Sequence, residues 1–224
     1  MGTVLLNSQG DIIIELQQWS MGAIADNGGE AAVCGPYSSM HGLIVNQLRE
    51  FVIARRDRET WSRAVAESGA ELPRVPRLTG SYADSDVFGI VGALVASREF
   101  GSVPELLADF GEFLAGTLVR VYSPLVRPEW RTLDLIENVE EHVHTVARMR
   151  DSDAGPPQLS AVRRSPSVVE VTYRSPRRMC SLAEGIVRGL AAHYRETVRV
   201  SQPLCMHRGD DHCVVQVEQL QATT

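Results

Sequence analysis

A basic surface is the first thing the sequence lacks. Its 224 residues carry 22 basic and 28 acidic side chains, a formal net charge of −6, whereas neutralising nucleic-acid phosphates needs the opposite balance. The arginines that do cluster, Arg163, Arg164, Arg174, Arg177 and Arg178, have no interleaved aromatics to stack on bases. Nucleic acid is therefore excluded as a partner. Lysine is missing altogether; that is a compositional bias of the kind a GC-rich genome gives, and it carries no mechanism.

Long apolar runs are also missing. The longest, around "VFGIVGALVA", is broken by glycines and falls short of the ~18 residues that a membrane span needs. No basic residue precedes Arg49, so the charged start of a secretory signal is absent. The expectation is a cytoplasmic protein without a membrane partner. In that compartment the four cysteines, Cys34, Cys180, Cys205 and Cys213, point to metal or redox roles rather than disulfides. There is no glycine-rich phosphate loop, no paired-histidine zinc motif and no nucleophile elbow. Enzymatic chemistry has little support, and the chain reads as a non-enzyme.

What is present is ordinary globular composition, 44% hydrophobic and 22% charged, in a chain long enough to bury a core without disulfide staples. Residues 1–39 stand apart, with four acidic residues, no basic ones and many small side chains. They are expected to be a poorly ordered extension, or the product of a start assigned too early, with Met40 as the natural beginning. Within them "DIIIEL" has the character of a strand or helical turn with nothing nearby to pair with. From Met40 the apolar residues take helical spacing: "GLIVNQLREFVIA", then "DRETWSRAVAESG" between an Asp57 cap and a Gly69 stop, "SDVFGIVGALVASREF", "VPELLADFGEFLAGTLVRVY" and "RTLDLIENVEEHVHTVARM". After "DSDAGPP" the period becomes two. "PQLSAVRR" and "SVVEVTYRS" read as strands, "RMCSLAEGIVRGLAAHYRE" as a helix, and "TVRVSQPLC" with "HCVVQVEQ" as a closing hairpin. The expected architecture is α+β: a helical half followed by an antiparallel sheet with one packed helix, residues 40–224 forming a single domain.

Three constellations carry chemistry. In "VTYRSPRRMC" an extended chain would project Tyr173, Ser175 and Arg177 from one face, donors suited to one or two carboxylates or phosphates. The competing reading is a strand end with a polar outer face. On the fifth helix, His142 and His144 flank the apolar stripe of Leu135, Ile136, Val139, Val143 and Val146; periodicity does not choose between them. Cys180 starts a helix while Cys205 and Cys213 bracket "CMHRGDDHC". Three thiols brought together by a sheet suit a soft metal such as zinc, with His207 or His212 in reach as a fourth ligand, His207 the better placed because His212 adjoins Cys213 on a strand and points to the other face; otherwise they are reduced, buried cysteines.

The segment "MHGLIVNQLREFV", the histidine helix followed by "GPP", and "VTYRSPRRMCSLAEGIVRG" together resemble the haem nitric oxide/oxygen-binding (H-NOX) family, sensor domains related to the haem domain of soluble guanylate cyclase. The resemblance runs from Met40 to about Val217. It implies a bacterial haem b protein whose propionates are gripped by Tyr173, Ser175 and Arg177. The iron ligand would be His144, which stands 13 positions before Pro157; counting forward from "LDLIENVEEHVH", the pattern slips by one residue and His142 stays open. Pro157 would press on the haem. Distal positions fall at Ile44, Leu48 and Leu182, none a hydrogen-bond donor, which implies nitric oxide rather than oxygen as the ligand. Nitric oxide would weaken the bond to His144, shift its helix and signal to a separate partner such as a histidine kinase or diguanylate cyclase. Some members carry zinc on three cysteines and a histidine; here Cys180, Cys205 and Cys213 match, but Gln202 stands at the fourth position. A second resemblance, of "CMHRGDDHCVV" to the vinyl-4-reductase domains, implies instead a small-molecule or zinc/thiol-binding scaffold without haem.

Overall fold

The computed structural model describes residues 4–6, 12–14, 39–150 and 156–220, and the chain divides into two compact units, Met1–Cys34 and Gly35–Thr224. In the first unit, strands β1 (Val4–Leu6) and β2 (Ile12–Ile14) pair antiparallel. This corrects the expectation that "DIIIEL" has no nearby partner. The rest of the expectation for residues 1–39 lies outside the described residues, except that Ser39 already belongs to a strand.

The second unit opens with β3 (Ser39–His41), which pairs antiparallel with β4 (Ser81–Ala83). These three-residue strands lie in stretches that the sequence marks only by proline and glycine. Between and after them come α1 (Gly42–Arg55), α2 (Arg58–Ser68), α3 (Asp84–Ala96) and α4 (Val103–Tyr122). Their ends follow local chemistry. Asp57 Oδ1 accepts from the Thr60 amide at 2.7 Å and Gly69 closes α2 at φ +69°, a conformation open to glycine. Ser102 and Glu105 form a reciprocal capping box at the start of α4. Leu48, Phe51, Ile90, Leu94, Phe110 and Leu114 fill this half, each essentially without exposure. The Phe51 ring meets those of Phe100, Phe110 and Phe113 at centroid distances of 5.5–5.7 Å. Each such side chain contributes on the order of 1.5–3 kcal/mol by leaving water.

A long helix follows in three parts: α5 (Thr132–Val139), a π-helical turn (Glu140–His144) and α6 (Thr145–Arg150). The remaining strands, β5 (Gln158–Ser165), β6 (Val168–Arg174), β7 (Thr197–Leu204) and β8 (Cys213–Leu220), make an antiparallel sheet in the order β5-β6-β8-β7, with α7 (Cys180–Tyr194) against it. Helix α7 packs closely on α4 because both carry glycine where they cross. A Cβ on Gly185 would lie 2.0 Å from the Ala108 carbonyl oxygen, and one on Gly111 2.4 Å from that of Leu182. The inner face of the sheet is one row of facing pairs, Val169 with Val217, Val171 with Val215 and Tyr173 with Cys213. The first pair is in the packed core with Val187 and Leu190. The α+β architecture is as expected from the sequence. Among the described residues no helix is long and apolar enough to cross a membrane.

Candidate functional site

The middle pair of that row, Val171 and Val215, faces a cavity of about 370 Å³. Its walls come from three places: Ile44 and Leu114 of the helical half, Val139 and Val143 of the long helix, and Leu182 and Ile186 of α7. His41, Tyr122, His144, Tyr173, Ser175 and Arg177 supply polar groups to the same lining, and Pro157 closes it beside β5. A mostly apolar hollow with a few convergent polar groups is the usual form of a small-molecule or cofactor site.

The cavity separates the two histidines. His144 lines it. The His142 ring instead meets Trp130 edge-on at 5.0 Å, and its Nδ1 lies 3.3 Å from the Asn138 carbonyl oxygen. Both histidines sit in the π-helical turn, Glu140–His144. Such a turn bonds each amide one residue further back than an α-helix does, and so takes up one extra residue. Thr145 marks it here, its backbone N–H donating to the Glu140 carbonyl oxygen and its Oγ1 donating to the same atom at 2.9 Å. Glu140 is the hub of the turn: its carboxylate accepts from His144 Nδ1 at 3.0 Å, from Arg148 and from the Leu159 amide at 3.2 Å. Burial raises its pKa, but the bonds and charges of His144 and Arg148 outweigh that and hold the carboxyl below its ordinary range.

Tyr173, Ser175 and Arg177 all line the cavity, though not from the one extended segment that the sequence suggests. Strand β6 ends at Arg174, and a turn closed by the Arg178 amide donating to the Ser175 carbonyl at 3.1 Å carries the rest, with Arg178 at φ +50°. The Tyr173 hydroxyl accepts from the Met179 amide at 3.1 Å, and burial pushes the phenol up to about 12. It stays protonated. Arg177 Nε donates to Asp84 Oδ2 at 2.7 Å, and a second guanidinium nitrogen donates to the Ser39 carbonyl. Asp84, the first residue of α3, is 93 positions away in sequence and carries no motif that would reveal it. Its Oδ1 is buried with no hydrogen-bond partner among the described residues.

Ile44 and Leu182 line the cavity, but Leu48 does not. One turn further along α1, Leu48 is 1% exposed and packed into the helical core, which corrects its assignment as a lining residue. His41 and Tyr122 were missed as polar lining residues. His41 had a local signal: it precedes the first helix, and its Nδ1 accepts from the Leu43 amide at 3.1 Å as an N-cap.

The third pair of the row, Tyr173 with Cys213, borders the thiols. The Sγ atoms of Cys180, Cys205 and Cys213 lie within 4.8 Å of one another, all buried, with Cys180 and Cys205 at 3.8 Å and unbonded. Burial pushes Cys180 up to about 12 and raises Cys213. Burial also acts on Cys205, yet the His207 amide, the neighbouring thiols and the Arg208 charge leave it lowered. The two histidines in reach as fourth ligands have other partners: His207 Nε2 is 2.7 Å from the Arg178 carbonyl and His212 is paired with Asp211, while Gln202, at the position where the family has its fourth ligand, has its Nε2 3.4 Å from Glu184.

Known proteins share this fold. A sequence model for haem-NO-binding proteins matches residues 41–202. An H-NOX protein from Shewanella oneidensis, solved in the Fe(II)NO ligation state, superposes with a TM-score of 0.74 at 26% identity, covering 81% of this chain and 100% of its own. The Fe(II) unliganded H-NOX protein from K. algicida superposes at 0.73 with 18% identity, covering 83% and 99%; at that identity the likeness is one of fold. No curated protein matches. The vinyl-4-reductase alternative is not favoured by these matches.

Proposed function

The chain belongs to the haem-NO-binding family, whose domains are haem-based gas sensors, and on that premise we propose that residues 40–224 hold haem b in the cavity, bind nitric oxide, and signal to a separate protein without catalysing a reaction. The observation that carries this reading is the separation of the histidines: His144 shares one cavity with Pro157, Tyr173, Ser175 and Arg177, while His142 packs on Trp130.

The residues present fit the group. Apolar walls from three elements suit a flat macrocycle, His144 offers an imidazole from the long helix, and Arg177 with Ser175 and Tyr173 offers donors to carboxylates at one end. When bound, haem supplies an iron that takes a diatomic gas. His144 would hold it from the long helix, and Arg177 would orient the propionates, sharing its guanidinium with Asp84. Ile44 and Leu182 keep their part of the wall apolar, which favours nitric oxide over oxygen. Because His144 is joined through Glu140 to the start of β5, movement of the imidazole would be felt in the sheet. A histidine kinase or diguanylate cyclase is the class of partner proposed to read it, in a cytoplasmic setting. The three thiols would take zinc, with the fourth ligand supplied from outside the Cys180, Cys205 and Cys213 set.

The test is an absorption spectrum of the reconstituted, anaerobically reduced protein before and after nitric oxide. A five-coordinate ferrous haem spectrum that changes on adding the gas is expected. A protein that takes up no haem would overturn the proposal.

A further inference from the structure

The hydrogen bond between His144 and Glu140 fixes more than a ring position. A carboxylate only accepts, so at 3.0 Å Nδ1 must carry a proton; of the two imidazole tautomers, this bond selects the one whose lone pair is on Nε2. The same carboxylate is held by Arg148 and by the Leu159 amide, two residues after Pro157. It is therefore braced from the helix and from the sheet at once. Glu140 and His144 stand at the two ends of the π-helical turn, four residues apart, and His144 lines the cavity.

We infer that Glu140 is the charged positioning residue for His144. It sets the tautomer, makes the imidazole a stronger donor through Nε2, and ties the ligand to the segment that carries Pro157. The inference rests on the reading of His144 as the haem ligand. Arg148 tempers the charge it supplies, and Leu159 limits how far it can move when the imidazole does. The rival role is purely structural: a helix carboxylate paired with Arg148 that happens to touch the ring.

Two measurements separate these roles, with Glu140→Gln as the main variant and Glu140→Asp as the charge-retaining one. In the haem-free protein, nitrogen-15 NMR of the His144 ring is expected to show the proton on Nδ1, and Glu140→Gln to shift that resonance and admit the other tautomer. A wild-type ring protonated on Nε2 overturns the inference, whatever haem does. In the ferrous haem protein, Glu140→Gln is expected to lower the iron–histidine stretching frequency, raise the midpoint potential and speed haem dissociation about 10-fold, with Glu140→Asp restoring part of each. A structural role predicts faster haem loss with no change in frequency or potential, and that result also overturns it. If neither wild type nor variant takes up haem, the proposed function fails, while the NMR measurement still decides whether Glu140 fixes the imidazole.

Discussion

Ile44 and Leu48 stand one turn apart on α1 and end in different kinds of space. Leu48 is buried within the Phe51 and Phe110 cluster of the helical half; Ile44 packs against that cluster only partly buried and lines the cavity between helix and sheet. Both regions are walled by aliphatic and aromatic side chains, so hydrophobicity does not distinguish them. What does is the company each keeps. The helical core holds few polar groups, whereas the cavity gathers His144, Tyr173, Ser175 and Arg177 at its edges. A filled core is a device for stability, and an apolar hollow with converging donors is a device for binding. Substitutions should therefore fall into two classes, those that move the unfolding midpoint and those that move ligand retention.

The largest separation is expected between His144→Ala and Phe110→Ala. The first should lose haem, or need added imidazole to keep it, while moving the denaturant midpoint of the haem-free protein less than the second. Phe110→Ala should cost about 3–5 kcal/mol of stability, read from urea unfolding, because its ring is 1% exposed and packed on Phe51. His142→Ala should keep a normal ferrous spectrum; loss of haem there would move the ligand to the other side of the helix. The α1 pair gives a finer version. Leu48→Ala should cost about 2–5 kcal/mol with haem affinity following stability, whereas Ile44→Ala should cost less and change the haem spectrum. Equal stability losses would erase the distinction between core and wall.

Arg177→Ala comes next, since it removes charged hydrogen bonds worth about 1.5–3 kcal/mol each. Haem transfer to an acceptor protein should accelerate tenfold or more, while Arg178→Ala, at the residue that closes the turn and outside the cavity lining, should behave like wild type. Asp84 sharpens the test. It holds Arg177 at 2.7 Å, so Asp84→Asn should loosen the guanidinium and alter haem retention in the same assay. Equal rates for Arg177→Ala and Arg178→Ala would sink the propionate assignment.

These contrasts also show what could be read without coordinates. Helix and strand periods, the Asp57 cap, the Gly69 stop and the closing hairpin are local, and each is found where the sequence put it. The grouping of Tyr173, Ser175 and Arg177 at one cavity was legible too. Four things were not. Strands β3 and β4 are too short to show a period. The π-helical turn leaves no mark in an i, i+4 pattern. Leu48 and Ile44 are alike in type and differ only by which neighbours surround them. Asp84 meets Arg177 through tertiary contact alone.

A smaller effect is expected at the thiols. Cys180, pushed from 9.0 to about 12 by burial and its thiol neighbours, is easier to ionise unfolded than folded. The haem-free, metal-free protein should therefore hold this contribution below pH 9.0 and lose it as pH rises toward about 12. Cys180→Ser should flatten that part of a melting-temperature profile. Zinc, which binds thiolates and releases their protons, should bind more tightly as pH rises, the opposite slope. A zinc affinity that does not change with pH would remove the cysteines as ligands.

The smallest effect concerns Tyr122. Ile44 and Leu182 give the cavity wall no donor, so the ferrous protein in air should form no stable oxygen complex while still binding nitric oxide. Tyr122 also lines the cavity, at the end of α4, and it is half-buried. If its hydroxyl does not reach the gas, Tyr122→Phe should leave both the nitric oxide spectrum and the absence of an oxygen complex unchanged. A long-lived oxygen spectrum in the wild type that disappears in Tyr122→Phe would show the opposite: that the phenol steadies bound oxygen, whose negative charge needs a donor in a dry pocket. The cavity would then bind both gases, and the selectivity read from Ile44 and Leu182 would fail, because a donor from α4 had entered the wall that they keep apolar.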